Sequence, residues 1–305
     1  MRLAVTGTLN SALFDSLLTQ CTPCLAGEDL QIELDLSSAN WAYPSGLVPL
    51  ASLLRTVSKN GVQVSVSKYP DKSVCSYYCR SNFFEHIGAK SPCRGKGKSL
   101  GRAIKITELE HHAVDGKTLS ALSRLLQNLP KVVEATEGSR KSLIDACGEL
   151  VSNTRHAYQL RENEEDITHR PKALMQAQCY PNAGRVELCV CDCGWGIRRS
   201  MEGEHDQQFV SHLDAIDAAL AFRNRNPLGD GEGVGLSAMH TYIKRNGGIL
   251  RIRTGDALKS QLGNKGAAVT EQLPVWNGTI VALEILVEKA ADLSTIQKRL
   301  TKAAK

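Results

Sequence analysis

Val190-Cys191-Asp192-Cys193-Gly194-Trp195-Gly196-Ile197 reads as a strand end running into a glycine turn. Side chains alternate between the two faces up to Asp192, and Gly194 and Gly196 then free the backbone to bend. The strand so delivers one carboxylate into a turn where backbone can approach a ligand. Cys189, Cys191 and Cys193 share one face of this strand and behave as small hydrophobes. An ordinary Asp-X-Gly turn has the same pattern, so the reading depends on its surroundings.

Outward from this stretch, apolar alternation predicts strands at 173–179, 186–191, 249–254 and 279–287. Helical spacing predicts helices over 118–129, 137–158 and 236–245. Pro130 breaks the first and Asn246-Gly247-Gly248 stops the last. The order implies an antiparallel sheet with helices on one face, an α/β sandwich.

Three further pieces flank the aspartate. Glu149, Asn153 and His156 form a polar stripe on the long helix, and Asp145 extends it by one turn. A surface or watered stripe is the bland explanation, since buried polar groups need partners. Gly229-Asp230-Gly231-Glu232-Gly233-Val234-Gly235-Leu236 precedes a helix, so its N–H groups and the helix N-terminus favour an anion. A flexible loop explains that run as well. Asn277-Gly278-Thr279 opens the last strand, where the threonine hydroxyl could share a ligand with Asp192. Asp192 itself could accept the exocyclic amine of adenine. Neither the lysine-containing Walker pattern nor a Rossmann fingerprint is present.

Taken in order, the four pieces resemble the N box, the two glycine boxes and the terminal Gly-Thr of the GHKL ATPase superfamily, that of gyrase, heat-shock chaperones, histidine kinases and MutL. Glu149-Leu150-Val151-Ser152-Asn153 is similar to that superfamily's first motif. The resemblance implies a Bergerat-fold α/β sandwich over 117–288 that binds ATP and Mg²⁺. It implies that Asn153 holds Mg²⁺, and that Glu149 polarises the attacking group and reaches the metal through water. Asp192 would read adenine with support from Thr279. Gly194, Gly196, Ile197, Gly231, Gly233, Gly235 and Leu236 would surround base and phosphates. Residues 200–232 would form the lid, with Arg223 and Arg225 as candidate phosphate contacts. His156 departs from the pattern: hydrolytic members carry aspartate three residues after the asparagine, which leaves the reaction type open.

The front of the chain alternates strands and helices. Leu30-Gln31-Ile32-Glu33-Leu34-Asp35-Leu36 is a half-buried strand, and Ser45-Gly46 opens an apolar helix that Asn60-Gly61 stops. Leu34-Asp35-Leu36-Ser37 followed by Pro44-Ser45-Gly46-Leu47 resembles a STAS domain, the fold of anti-sigma-factor antagonists. That resemblance makes Ser45 a candidate phosphosite, while helix capping is its commoner role. The expected fold class is therefore α/β in two domains: a small STAS-like domain (1–95), a basic linker (96–116) with one strand near 104–106, the ATP-binding sandwich (117–288), and a basic helix or tail (289–305).

Composition sets outer bounds. The 305 residues carry a net charge of +5, 42% are hydrophobic and 23% charged. That suits a globular protein and does not call for nucleic acid. No apolar run reaches the ~20 residues of a membrane span. The cytoplasm is the expected compartment, with the ten cysteines as reduced thiols. The spacing of Cys21, Cys24, Cys75 and Cys79 does not match two zinc-binding pairs. Three functions compete: a slow ATPase that switches a protein partner, a serine kinase of the partner-switching type, and a non-catalytic ATP-binding scaffold. A homodimer is left open.

Overall fold

The computed structural model describes residues 1–93, 103–109, 120–121, 124–125, 148–154, 157–158, 170–202, 208–221 and 235–286. Its largest sheet has seven strands, all paired antiparallel. They are β6 (Ala103–Glu108), β7 (Leu174–Tyr180), β8 (Arg185–Cys191), β9 (Ile249–Gly255), β10 (Ala257–Leu262), β11 (Ala267–Thr270) and β12 (Trp276–Leu286), in spatial order β11-β10-β9-β12-β8-β7-β6. The molecule is thus mixed α/β.

The alternation in β8 divides two cores. Val186, Leu188 and Val190 enter one with Met175, Ala177, Leu250 and Ile252. Cys189 and Cys191 enter the other with Leu174, Ile280 and Ala282. Because both faces are covered, β7 and β8 are nearly continuous in burial rather than half exposed.

On the first face lie the helical stretch 148–154 (α6), α7 (Gly196–Glu202), α8 (His212–Leu220) and α9 (Gly235–Asn246). Leu150, Val151, Ile216, Met239 and Ile243 supply their buried sides. Helix α8 starts on a capping box in which the Ser211 hydroxyl accepts the Asp214 N–H and the Asp214 carboxylate accepts the Ser211 N–H. Of the expected lid over 200–232, residues 203–207 and 222–232 lie outside the described residues. Ala215 and Ile216 are fully buried, so α8 belongs to the packed body.

The second face is covered by the N-terminal unit. Its parallel sheet pairs β1 (Arg2–Ala4), β3 (Gln31–Asp35) and β5 (Gln63–Lys68) in the order β1-β3-β5. A small parallel pair, β2 (Gly7–Leu9) with β4 (Ala39–Ala42), lies beside it. Helix α1 (Ser11–Gln20) starts at Asn10, whose side chain accepts the Ala12 and Leu13 N–H groups. The short α2 (Thr22–Leu25) follows it.

Helix α3 (Pro44–Lys59) lies between the parallel sheet and the seven-stranded sheet, packing on β5 as well as on β7, β8 and β12. That position explains why it is buried around most of its circumference. Pro44 is its first residue, where a missing N–H costs nothing. Gly61, at φ +90°, follows its end as expected. Gly46 is required by close approach, because a Cβ there would lie 2.5 Å from the Asn10 nitrogen.

Helices α4 (Lys72–Arg80) and α5 (Phe83–His86) complete this unit. Tyr77 on α4 donates its hydroxyl to Gln178 Oε1 at 2.6 Å. The Ile106 N–H donates to the Ser81 carbonyl at 3.0 Å. Segment 96–116, expected as a linker, therefore carries the edge strand β6, which bonds both to β7 and to the front unit. The thiol expectation is corrected too: Cys79 and Cys93 form a disulfide. No helix among the described residues is long and apolar enough to cross a membrane.

Candidate functional site

Asp192 is the first residue beyond β8, buried where β8 meets β12. Its N–H donates to the Thr279 carbonyl at 2.9 Å, continuing the ladder by one bond. Its Oδ1 accepts the Gly194 N–H at 3.0 Å and the Thr279 N–H at 3.1 Å. Burial pushes the carboxyl up to about 7, against the opposing pull of those two N–H groups and the Thr279 hydroxyl.

The turn after Asp192 is closely packed against Ala157 and Gly278. A Cβ on Gly194 would lie 2.1 Å from the Ala157 carbonyl oxygen, and one on Gly278 would lie 2.0 Å from the Asp192 carbonyl oxygen. The Trp195 N–H donates to Ala157 O at 3.0 Å, and the Cys193 N–H donates to the Tyr158 hydroxyl at 2.9 Å. Arg170 donates to the carbonyls of Cys193 and Gly194 at 3.3 and 3.0 Å. Two guanidinium groups lie over the Trp195 ring, Arg199 at 3.6 Å and Arg170 at 5.1 Å from its centroid.

Gly196, at φ +73°, begins α7. Thr254 at the end of β9 ties this turn to the last strand: its hydroxyl accepts the Ile197 N–H at 3.2 Å and donates to Gly278 O at 2.9 Å. Asp192, Gly194, Gly196, Ile197 and Thr279 are therefore brought into one cluster at the ends of three adjacent strands.

Glu149 and Gly235 form a second contact. A Cβ on Gly235 would lie 2.5 Å from Glu149 Cβ and 3.2 Å from its Oε2. The first residue of α9 thus sits directly against the glutamate. Asn153, one turn further along α6, is exposed, and Leu236 is half-buried against the helix-side core. The two clusters share a segment of chain, since Ala157 and Tyr158, just past α6, hold the turn after Asp192. Gly231 and Gly233 lie outside the described residues, as do Asp145, His156, Arg223 and Arg225.

Ser45 needs correction as a helix cap. The cap residue is Tyr43, and Ser45 sits one residue inside α3 at 5% exposure. Its N–H donates to Glu187 Oε1 at 3.0 Å, and its hydroxyl also bonds to that carboxylate. A kinase would reach it only after α3 had left the sheet.

Sequence reasoning missed Thr254, Tyr158 and Arg170. The first was readable as a hydroxyl residue before Gly255 at a strand end; the other two come from irregular chain with no local pattern. No protein family, no curated protein and no solved structure matches this chain.

Proposed function

We propose that this protein binds Mg-ATP at the strand ends around Asp192 and hydrolyses it slowly, as a nucleotide-dependent switch for a protein partner. This is the function of a GHKL-type domain with a Bergerat fold, preceded by a STAS-like unit. The observation that carries the reading is the enclosed Asp192 carboxyl, fixed by backbone N–H groups from two separate glycine-containing turns. These donors orient the carboxyl, and the exocyclic amine of adenine is a further donor of the kind it accepts.

The remaining donors suit the rest of the nucleotide. The start of α9 offers backbone N–H groups of the kind that attract phosphate, beside Glu149. Mg²⁺ bound with ATP would neutralise phosphate charge, and the exposed Asn153 side chain would supply an oxygen to it. Glu149 would accept a proton from the attacking water as general base. The same geometry would serve a protein hydroxyl. Transfer to Ser45 of this chain gains no support, because that side chain is enclosed between α3 and β8.

A thermal shift with Mg-ATP, run beside an ATPase assay, tests the reading. At a hundredfold excess over Kd, binding stabilises by about 2.7 kcal/mol, a rise in Tm of several degrees. Asp192→Asn removes most of that rise. Glu149→Gln keeps it and loses turnover. Absence of any shift with wild-type protein would sink the proposal, and turnover that survives Glu149→Gln would remove the hydrolytic role of Glu149.

A further inference from the structure

Three sulfurs gather beside α4 in the N-terminal unit. Cys75 and Cys79 lie four residues apart on α4, so both point to one face of the helix. Cys93 returns to that face from the segment after α5. The three Sγ atoms all lie within 4.8 Å of one another. A disulfide uses two of them, Cys79 and Cys93, and leaves Cys75 as a buried thiol beside the bond. No other group of three His, Cys, Asp or Glu ligand atoms converges this way among the described residues. Cys21 and Cys24 are buried in the core, with Cys24 Sγ against the Met1 sulfur. Cys189, Cys191 and Cys193 are spread along the β8 edge of the same core.

We propose that Cys75, Cys79 and Cys93 form a three-thiolate site for one Zn²⁺ ion when the Cys79–Cys93 bond is reduced. A dithiol reductant supplies two electrons and two protons, becomes a cyclic disulfide, and leaves Cys79 and Cys93 as thiols. Zn²⁺ then displaces three protons, one from each thiol. Tetrahedral zinc bonds sulfur at about 2.3 Å, which sets ligating sulfurs about 3.8 Å apart. Cys75 Sγ therefore lies no more than about 1 Å beyond the ligating separation from either of the other two sulfurs, which need to part from each other. Cys79 and Cys93 are half-buried, so the open side of the site leaves the fourth position to water. Either state, disulfide or zinc, ties the chain at Cys93 to α4. That helix also carries Tyr77, whose hydroxyl bonds both Gln176 and Gln178 on β7. The reduced, metal-free state alone would release the tie.

The test uses the full chain, reduced with a phosphine, desalted without oxygen and titrated with Co²⁺. A thiolate-to-cobalt charge-transfer band that saturates at one cobalt per chain and is bleached by Zn²⁺ is the expected result. Cys75→Ala abolishes the band, whereas a plain disulfide pair with a bystander thiol predicts no role for Cys75. Cys21→Ser/Cys24→Ser keeps it. Alkylation read by mass spectrometry gives a second readout that needs no variant: Zn²⁺ protects Cys75, Cys79 and Cys93 together. A reduced chain that shows no band, a band that survives Cys75→Ala, or zinc that leaves Cys75 open to alkylation overturns the proposal.

Discussion

Asp192 sits in a place hostile to its own charge. Its carboxyl ordinarily titrates at 3.8 and here is raised to about 7 by burial. Between those two values the unfolded chain has lost the proton and the folded chain keeps it. Folding stability therefore falls as pH rises through that window and levels above it, by on the order of a few kcal/mol. An asparagine at this position would keep the shape without the charge. Urea unfolding should show Asp192→Asn gaining on the wild type from pH 4 to pH 7, with a steady margin above; a margin that shrinks as pH rises would refute the assignment. A site kept at a cost to stability is expected where a ligand completes it. Gly235 belongs to the same scale. Its missing Cβ lets α9 sit against Glu149, so Gly235→Ala should cost about 1–3 kcal/mol and reduce ATP turnover. The chain shows its short-range logic well here. Asp192 with its two glycines could be picked from the sequence because strand ends and glycine turns leave local patterns, whereas Thr279 joins them only through the resemblance. Tyr158 and Arg170 could not, since what they touch is set by tertiary approach alone.

Among the elements, α3 departs furthest from its sequence reading. Its apolar spacing through Leu47, Leu50, Leu53, Leu54 and Val57 fits an amphipathic helix on one sheet. In the fold it serves two sheets, and its small and polar positions meet the second one. Thr56 donates its hydroxyl to Cys193 Sγ at 3.4 Å, and Ser45 bonds Glu187. Periodicity reports one buried face; a second face made of serine, threonine and alanine does not stand out as apolar. The hairpin of β10 and β11 was hidden for a related reason. Every residue of β11 is exposed, so no alternation marks it. By contrast β7, β8, β9 and β12 fall within a few residues of their predicted bounds, because β8 and β12 alternate between two apolar cores and β7 and β9 alternate an apolar face with a largely polar one. A truncation in the core between α3 and the two sheets should thus be felt by both sheets. Leu54, fully buried, is a suitable position: Leu54→Ala should cost about 2–5 kcal/mol and lower the unfolding temperature of both sheets together.

At the scale of the molecule, strand β9 joins the candidate site to the front unit. Thr254 orders the turn that carries Gly196 and Ile197. Its neighbour Arg253 points the other way and reaches the N-terminal unit, with Nε 3.0 Å from Asp15 Oδ1 on α1. The same guanidinium donates to the carbonyls of Gly255 and Pro274. Arg253 is 4% exposed, so Asp15→Ala would leave a buried cation short of its counter-charge, at a cost of about 3–5 kcal/mol. Asp15→Asn retains an acceptor and should cost less. Because adjacent residues of one strand hold the turn after Asp192 and the N-terminal helix, ordering one end should be felt at the other. Hydrogen exchange offers the direct measurement. Mg-ATP should slow exchange in α1 and at the start of α3 as well as around Asp192, and Asp15→Ala should remove the slowing in α1 while leaving it around Asp192. Protection confined to the strand ends in the wild type would mean that the front unit covers the sheet without sensing the nucleotide.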